Sequence, residues 1–334
     1  MTKSLIEAHD AILSDLDGVV YAGPFAIEGA PEALNRAQDA GVQVAFVTNN
    51  ASRSVDAVAE HLVELGVKTD AEHVISSAQA AAELLAAQLP ANAKVLITGA
   101  QALADCVQAA GLTPVRSQQD EPVAVAQGFN PKMVWEDLAE AAYTLADESV
   151  LWVASNTDFT IPKERGIAPG NGTLVGAVAT ATGRKPQVAG KPESPIFTTT
   201  AAQKLGSTSP VVVGDRLDTD IQGGNRAQIA TAMVMTGVDT YQSVLAAITI
   251  ERPTYIIETL DAFFEPYPQI GVEITPTGAR AEAAGFVAEV KGNDLTLSGA
   301  GTEVDSWRVA CAAWWAAHPD VHDAPKAPEV FNRG

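Results

Sequence analysis

Short apolar runs alternate along the first third of the chain with stretches whose apolar residues recur every three or four positions. AILSD and QVAFVTNN, starting at Ala11 and Gln43, predict strands buried on both faces. PEALNRAQDAG and SVDAVAEHLVELG predict amphipathic helices that stop at Gly41 and Gly66. Strands that alternate with helices pair in parallel, because each helix returns the chain to the edge where the next strand starts. The same grammar comes back late in the chain. SPIFTTTAAQKLG predicts a helix with a serine start and a glycine stop, and SPVVVGD, TAMVMTG and PTYIIETL predict further strands.

Between these halves the pattern restarts, with AAELLAAQL, KVLITG, ALADCVQAAG, VAVAQGF, WEDLAEAAYTLA and VLWVASN supplying strands and helices for a second α/β core. Asn50 and Lys191 lie about 140 residues apart, far beyond the roughly 2–6 residues usual between elements, so an inserted domain is required. The fold class expected is α/β, a Rossmann-like doubly wound parallel sheet interrupted by an α/β insert. The expected boundaries are 1–77 with 186–265 for the core, 78–185 for the insert and 266–334 for a C-terminal extension. In that extension GFVAEVKGNDLTLSG predicts a hairpin with Asn293 and Asp294 in its turn, EVDSWRVACAAWWAAH a helix, and DAPKAPEVFNRG a loose tail. Trp314 and Trp315 are adjacent and cannot both enter one core, which leaves room for a homo-oligomer contact.

Composition narrows the partners. The chain has 334 residues, 47% of them hydrophobic, enough for substantial cores. Its 41 acidic and 21 basic residues give a net charge of −20, which disfavours nucleic acid and anionic membranes as partners. An anionic substrate therefore has to be captured by local positive charge. No apolar run reaches the roughly 18 residues of a membrane span, and the start MTKSLIEAHD lacks an apolar signal core. Cys106 and Cys311 are far apart and lack metal-ligand spacing, as expected of reduced thiols in a cytoplasmic protein.

Ligands of open parallel sheets bind at the carboxyl ends of the strands, so polar residues just after apolar runs are the candidates for chemistry. Four groups qualify: Asp15 and Asp17, Thr48 to Asn50, Lys191, and Asp215 to Asp220. On extended backbone, Asp15 and Asp17 share one side. With Asp215 they offer three oxygen donors to a hard cation, best Mg2+. Lys191, the Thr48 hydroxyl and the amides around Asn49 suit phosphate oxygens. One carboxylate can then attack phosphorus while the other protonates the leaving oxygen and later activates water. Each residue also has a structural reading. Thr48, Asn50 or Ser52 can cap the following helix, Asp218 and Asp220 can charge a helix start, and HPDVHD at His318–Asp323 reads as a surface turn rather than a metal site.

DLDGV at Asp15–Val19, TNN at Thr48–Asn50, GKP at Gly190–Pro192 and GDRLDTDI at Gly214–Ile221 resemble the four ordered motifs of the haloacid dehalogenase superfamily. TNNASR, the long insertion before GKP and the form of GDRLDTDI resemble its class IIA branch, which includes nitrophenylphosphatase-like, phosphoglycolate, pyridoxal phosphate and nucleotide phosphatases. The resemblance implies Asp15 as nucleophile and Asp17 as general acid and base. It implies Thr48, Asn49 and Lys191 as ligands of the phosphoryl group, with Asn50 and Arg53 beside them as candidate substrate contacts. Mg2+ is implied at Asp15, the Asp17 backbone carbonyl and Asp215, with Asp220 orienting them. Arg53 and Arg216 either help hold the phosphate or pair with a carboxylate.

The same resemblance makes the insert a cap, with Gly128–Leu138 and Asn156–Gly172 facing the leaving group. Asn156, Asp158, Lys163, Glu164 and Arg165 suit hydroxyls better than a flat ring, so a small polyol or acid phosphate is expected ahead of pyridoxal phosphate or a nucleotide. The Ala-rich cap and the C-terminal extension together resemble actinobacterial glycerol 3-phosphate phosphatases. The rival activities are phosphotransfer, dehalogenation, to which an acid at Asp17 contributes nothing, and a phospho-accepting signalling module, whose acidic pair would lie on a different strand from its phosphorylated aspartate.

Overall fold

The computed structural model describes residues 3–163, 165–193, 195–199 and 204–334. Two compact units emerge, one of Met1–Val44 with Ala201–Gly334 and one of Ala45–Thr200. Both are α/β, built on parallel sheets. In the first unit, Ala11–Ser14, Pro210–Gly214, Ala230–Val234 and Tyr255–Ile257 lie side by side in parallel register. These are the apolar runs expected to form strands, and nearly all their residues are buried. Gln43–Thr48 starts in this unit, its Gln43 amide donating to Asp10 O at 3.1 Å. The helix Ala30–Asp39 precedes a left-handed Gly41 at φ 89°, a conformation that costs glycine no Cβ clash.

The second unit carries a five-stranded parallel sheet in the order Gln187–Val188, Leu151–Ala154, Ala124–Gln127, Lys94–Thr98, Thr113–Val115. Its side chains alternate between two cores. Val95, Ile97, Ala124, Ala126 and Val153 pack with the helices Ser77–Ala86 and Gln101–Ala109. Leu96, Val125, Trp152 and Ala154 pack with Trp135–Thr144 and Asn171–Thr182. Burial on both faces explains why these strands read as continuous apolar runs. Gln43–Thr48 ends in this unit, where Phe46–Thr48 pairs in parallel with Val74–Ser76. Of the helix expected over SPIFTTTAAQKLG, Pro195–Thr199 is helical, and its expected start at Ser194 and residues 200–203 lie outside the described residues.

The C-terminal extension is more ordered than its composition suggested. Gly271–Thr275, Gly278–Ala283, Phe286–Lys291 and Asp294–Gly299 form an antiparallel meander. Lys291 pairs with Asp294, so the turn residues are Gly292 and Asn293, one position earlier than expected, and Gly292 supplies the φ of 61°. The expected loose tail is instead partly a strand. Val330–Arg333 pairs in parallel with the last meander strand, a long-range pairing that local composition does not encode.

The helix Glu303–Ala317 joins meander and core into one apolar cluster with Leu217, Ile221, Met233, Val244, Leu245 and Ile256. Both tryptophans are used within this unit. Trp314 is buried and donates to Lys326 O at 2.8 Å, while partly buried Trp315 donates to Leu245 O at 3.1 Å. HPDVHD is pinned rather than fraying, because His318 O accepts from Arg252 at 2.7 Å and Val321 O from the Thr249 amide at 2.7 Å. Among the described residues no helix is long and apolar enough to cross a membrane.

Asp10 ties the start of strand Ala11–Ser14 to the turn that leads into Pro210–Gly214. Its carboxylate accepts from the Ser207 hydroxyl, from the Thr208 amide and hydroxyl, each at 2.9 Å, and from the Ser209 amide at 3.0 Å. Partial burial would raise its pKa, but these donors outweigh it and lower it from 3.8 to about 2. A depressed carboxylate stabilises the fold fully above its unfolded pKa and loses that contribution as pH falls through the folded value. Asp10→Ala is therefore expected to cost about 1–2 kcal/mol at pH 7 in urea unfolding, and the two proteins should converge as pH approaches 2.

Candidate active site

Parallel register sets the first group of side chains. Ser14 stands opposite Val213, and the Asp15 amide continues the ladder by donating to Val213 O at 2.8 Å. Asp15 and Asp215 thus leave neighbouring strands at the same end. A wide helical turn over Leu217–Ile221, in which Ile221 N bonds Arg216 O at 3.2 Å, carries Asp220 back towards them. Carboxylate oxygens of Asp15, Asp215 and Asp220 lie within 4.8 Å of one another, with Asp215 and Asp220 almost fully buried.

Glycines make this approach feasible. A Cβ on Gly18 or Gly237 would run into the Asp215 carboxylate, and a Cβ on Gly214 would run into Asp220. Gly18 also has a φ of 83°, so the position needs glycine twice over. Three clustered oxygen donors in a cradle of missing side chains fit a hard divalent cation.

Asp17 takes a different course. The strand ends at Ser14, and the chain turns over Leu16–Tyr21, where Gly18 N donates to Tyr21 O at 2.8 Å and Val20 N to Leu16 O at 2.9 Å. Leu16 is buried and the Asp17 side chain is exposed. Among the described residues the clustered carboxylates are those of Asp15, Asp215 and Asp220, so Asp220 and not Asp17 supplies the third side chain of the group.

The second group belongs to the other unit. Thr48 and Lys191 are buried, and Thr48 Oγ1 accepts from the Asn50 amide at 3.1 Å. Asn49 is a hub: its Nδ2 donates to Asp158 at 3.0 and 3.2 Å and to Lys191 O at 3.1 Å, and its Oδ1 accepts from Lys191 N at 2.9 Å. Its backbone oxygen accepts from Ser77 at 2.8 Å and from Asn156 Nδ2 at 2.7 Å. Asn156 is thereby committed to structure, its Oδ1 also accepting from Asp158 N at 3.2 Å.

Asn50 Oδ1 accepts from the Ser52 amide and hydroxyl, each at 2.9 Å, while Ser54 rather than Thr48, Asn50 or Ser52 caps the helix Val55–Glu64. Arg53 donates to Ala57 O at 2.9 Å. Arg216 makes a bidentate pair with Asp218 at 2.9 and 3.0 Å, which realises the carboxylate-pairing alternative for that arginine. Arg165 is exposed, and Glu164 and the Lys163 side chain lie outside the described residues.

Thr236–Asp239 escaped the sequence reading. Thr236 donates to Gly18 O at 2.7 Å, Val238 N to Asp215 at 2.8 Å, and Asp239 accepts from Leu217 N at 2.8 Å. The signal was present: this segment also follows an apolar run, at the carboxyl end of the next strand.

The profile of haloacid dehalogenase-like hydrolases matches residues 12–113, and that of HAD-like hydrolases residues 188–263. A D-glycerol 3-phosphate phosphatase of Mycobacterium tuberculosis is 44% identical over 327 residues, 97% of this chain and 91% of the relative. The chain belongs to the haloacid dehalogenase-like hydrolase family. The crystal structure of a glycerol phosphate phosphatase from M. tuberculosis in complex with magnesium is similar at TM-score 0.87 and 40% identity, covering 100% of this chain and 96% of that one. A p-nitrophenyl phosphatase from Archaeoglobus fulgidus is similar at TM-score 0.70 and 30% identity over 78% of this chain and 99% of its own.

For a family hydrolase with this carboxylate group, Asp215→Asn and Asp220→Ala should each weaken Mg2+ binding at least about tenfold, the loss of one charged ligand. Gly18→Ala should do the same by displacing the Asp215 carboxylate. Calorimetric titration of the folded variants checks this, and unchanged affinity in both aspartate variants would remove the group as the metal site.

Proposed function

We propose that this hydrolase is a Mg2+-dependent phosphatase that cleaves a small phosphorylated polyol, glycerol 3-phosphate first, through an aspartyl-phosphate on Asp15. The observation that carries the reading is the Asp15, Asp215 and Asp220 group in its glycine cradle. The 44% identity to a D-glycerol 3-phosphate phosphatase supports the substrate. Residues 1–77 with 186–265 serve as the catalytic core, 78–185 as the cap that selects the substrate, and 266–334 as the extension.

In the first half-reaction an Asp15 oxygen bonds to phosphorus as the bond to the leaving oxygen breaks, and Asp17 gives that oxygen its proton. In the second, Asp17 takes a proton from water. The water oxygen then bonds to phosphorus, the bond to Asp15 breaks, and inorganic phosphate leaves. An exposed turn suits Asp17 to this exchange of protons with solvent and leaving group. Thr48, the Asn49 amide and the Lys191 ammonium bind and orient the phosphoryl oxygens. Asp15 and Asp215 with the Asp17 carbonyl would hold Mg2+, and Asp220 would complete or orient that set; when bound, the ion offsets the negative charge of carboxylates and phosphate.

Asp158 and Arg165 on the second cap segment favour a hydroxylated leaving group. A second reading, an aryl phosphate, draws on Trp135 and Phe159, which are 71% and 72% exposed on the two segments assigned to substrate selection.

A phosphate-release screen with Mg2+ separates the readings. Glycerol 3-phosphate should exceed phosphoglycolate, pyridoxal phosphate, nucleotides and p-nitrophenyl phosphate in kcat/KM by at least about tenfold. A nucleotide or aryl phosphate in first place overturns the polyol reading. Asp15→Asn should lower kcat by at least about 10^3-fold in a folded protein, and retained turnover would exclude the aspartyl-phosphate. Labelled phosphate should pass to water and not to an added alcohol.

A further inference from the structure

The carboxamide of Asn49 is fully occupied. One Nδ2 hydrogen is shared between the two Asp158 oxygens at 3.0 and 3.2 Å, and the other goes to Lys191 O at 3.1 Å. Oδ1 takes the Lys191 amide at 2.9 Å. A carboxamide has two N–H donors, so none is left over for a phosphoryl oxygen. The bonds to both N and O of one residue also clamp the Lys191 peptide, which fixes where the ammonium of this buried lysine starts from. Two neighbours of the hub are tightly set: a Cβ on Gly190 would collide with Ser155 O, and Asn156, which holds Asn49 O, is itself held by Asn171 Nδ2 at 2.7 Å.

We infer that Asn49 is a positioning residue whose side chain sets Lys191 for phosphoryl binding and ties Asp158, on the segment Asn156–Gly172, to that same lysine. The inference rests on the phosphatase reading for the role of Lys191, and it separates the two duties of Asn49. Its backbone amide is available to phosphate, whereas its carboxamide couples the phosphoryl end of the substrate to the residue that reads the leaving group. Asparagine is required because the hub needs two donors facing acceptors and one acceptor facing a donor. Aspartate has the same shape but faces the Asp158 carboxylate and Lys191 O with no donor.

The experiment compares wild type, Asn49→Asp, Asp158→Asn and the double variant for binding of inorganic phosphate by calorimetry and for kcat and KM. Asn49→Asp should weaken phosphate binding about tenfold or more, the loss of charge-assisted hydrogen bonds, and activity should partly return at low pH, where the introduced carboxyl group is protonated and donates again. Asn49→Asp with Asp158→Asn restores a donor facing an acceptor, so the double variant should recover at least about threefold over Asn49→Asp alone.

Wild-type phosphate affinity in folded Asn49→Asp, or strictly additive losses in the double variant, would overturn the inference. If Asn49→Asp does not fold, Asp158→Ala against Asp158→Asn carries the test: alanine should raise the phosphate Kd and asparagine should keep it, and equal effects overturn the coupling. Phosphate binding needs no turnover. A wild type that binds phosphate and releases none from any ester therefore overturns the phosphatase reading alone, and one that binds no phosphate overturns both.

Discussion

Three carboxylates whose oxygens crowd within 4.8 Å, two of them almost fully buried, are the constraint around which the first unit is arranged. With all three ionised, each pair repels by about 3–4 kcal/mol at an effective dielectric near 20. A chain gains nothing from such a cluster unless a cation offsets it. The surrounding sequence is shaped to permit the approach: Gly18, Gly214 and Gly237 give up side chains where a Cβ would strike a carboxylate, and Val238 N and Leu217 N bond Asp215 and Asp239. The parallel register of Ala11–Ser14 on Pro210–Gly214 brings Asp15 and Asp215 together from 200 positions apart.

Neutral side chains do comparable work in the other unit. Asn49, Ser77, Asn156 and Asn171 form a chain of amide and hydroxyl contacts around Lys191, most of them to backbone. Buried polar groups are tolerated when they find partners, as the Asn49 carboxamide does at both ends, whereas among the described residues Asn171 Oδ1 has none. Each member of the network is tied to backbone by at least one hydrogen bond. It holds Asp158 of a cap segment and the lysine of the GKP motif on one carboxamide, so local precision there comes from hydrogen bonds and not from apolar packing.

The C-terminal extension contributes by burial. Its helix Glu303–Ala317 places Val304, Trp307, Cys311 and Trp314 in one cluster with residues of the parallel sheet, and Arg308 donates to Ile256 O at 2.8 Å. Complete burial pushes the Cys311 thiol pKa upward, as expected of a cysteine used for packing and not for reaction. The sheet beside it closes on Val330–Arg333, so the end of the chain completes an edge that would otherwise be open.

Hydrophobic periodicity picked out the central strands and several helices of both α/β units, because alternation and the 3.6-residue repeat are local properties of the chain, but not the short strands Val74–Ser76, Thr113–Val115 and Gln187–Val188 or the helix Asn171–Thr182. The motif order placed Asp15, Thr48, Lys191 and Asp215 at strand ends, since ligands gather there in any parallel sheet. Tertiary structure decided the rest. Asp220 entered the carboxylate group through a wide helical turn, Asp17 lies on the turn after Ser14 and is not among the clustered carboxylates, and Asn156, read as a substrate contact, serves as a prop for Asn49. Val330–Arg333 became a strand only because Asp294–Gly299 offered it an edge. The Asn49–Asn156 contact and the pairing of Val330–Arg333 with Asp294–Gly299 depend on which residues meet across more than about ten intervening positions, and a local sequence pattern carries no information about such meetings.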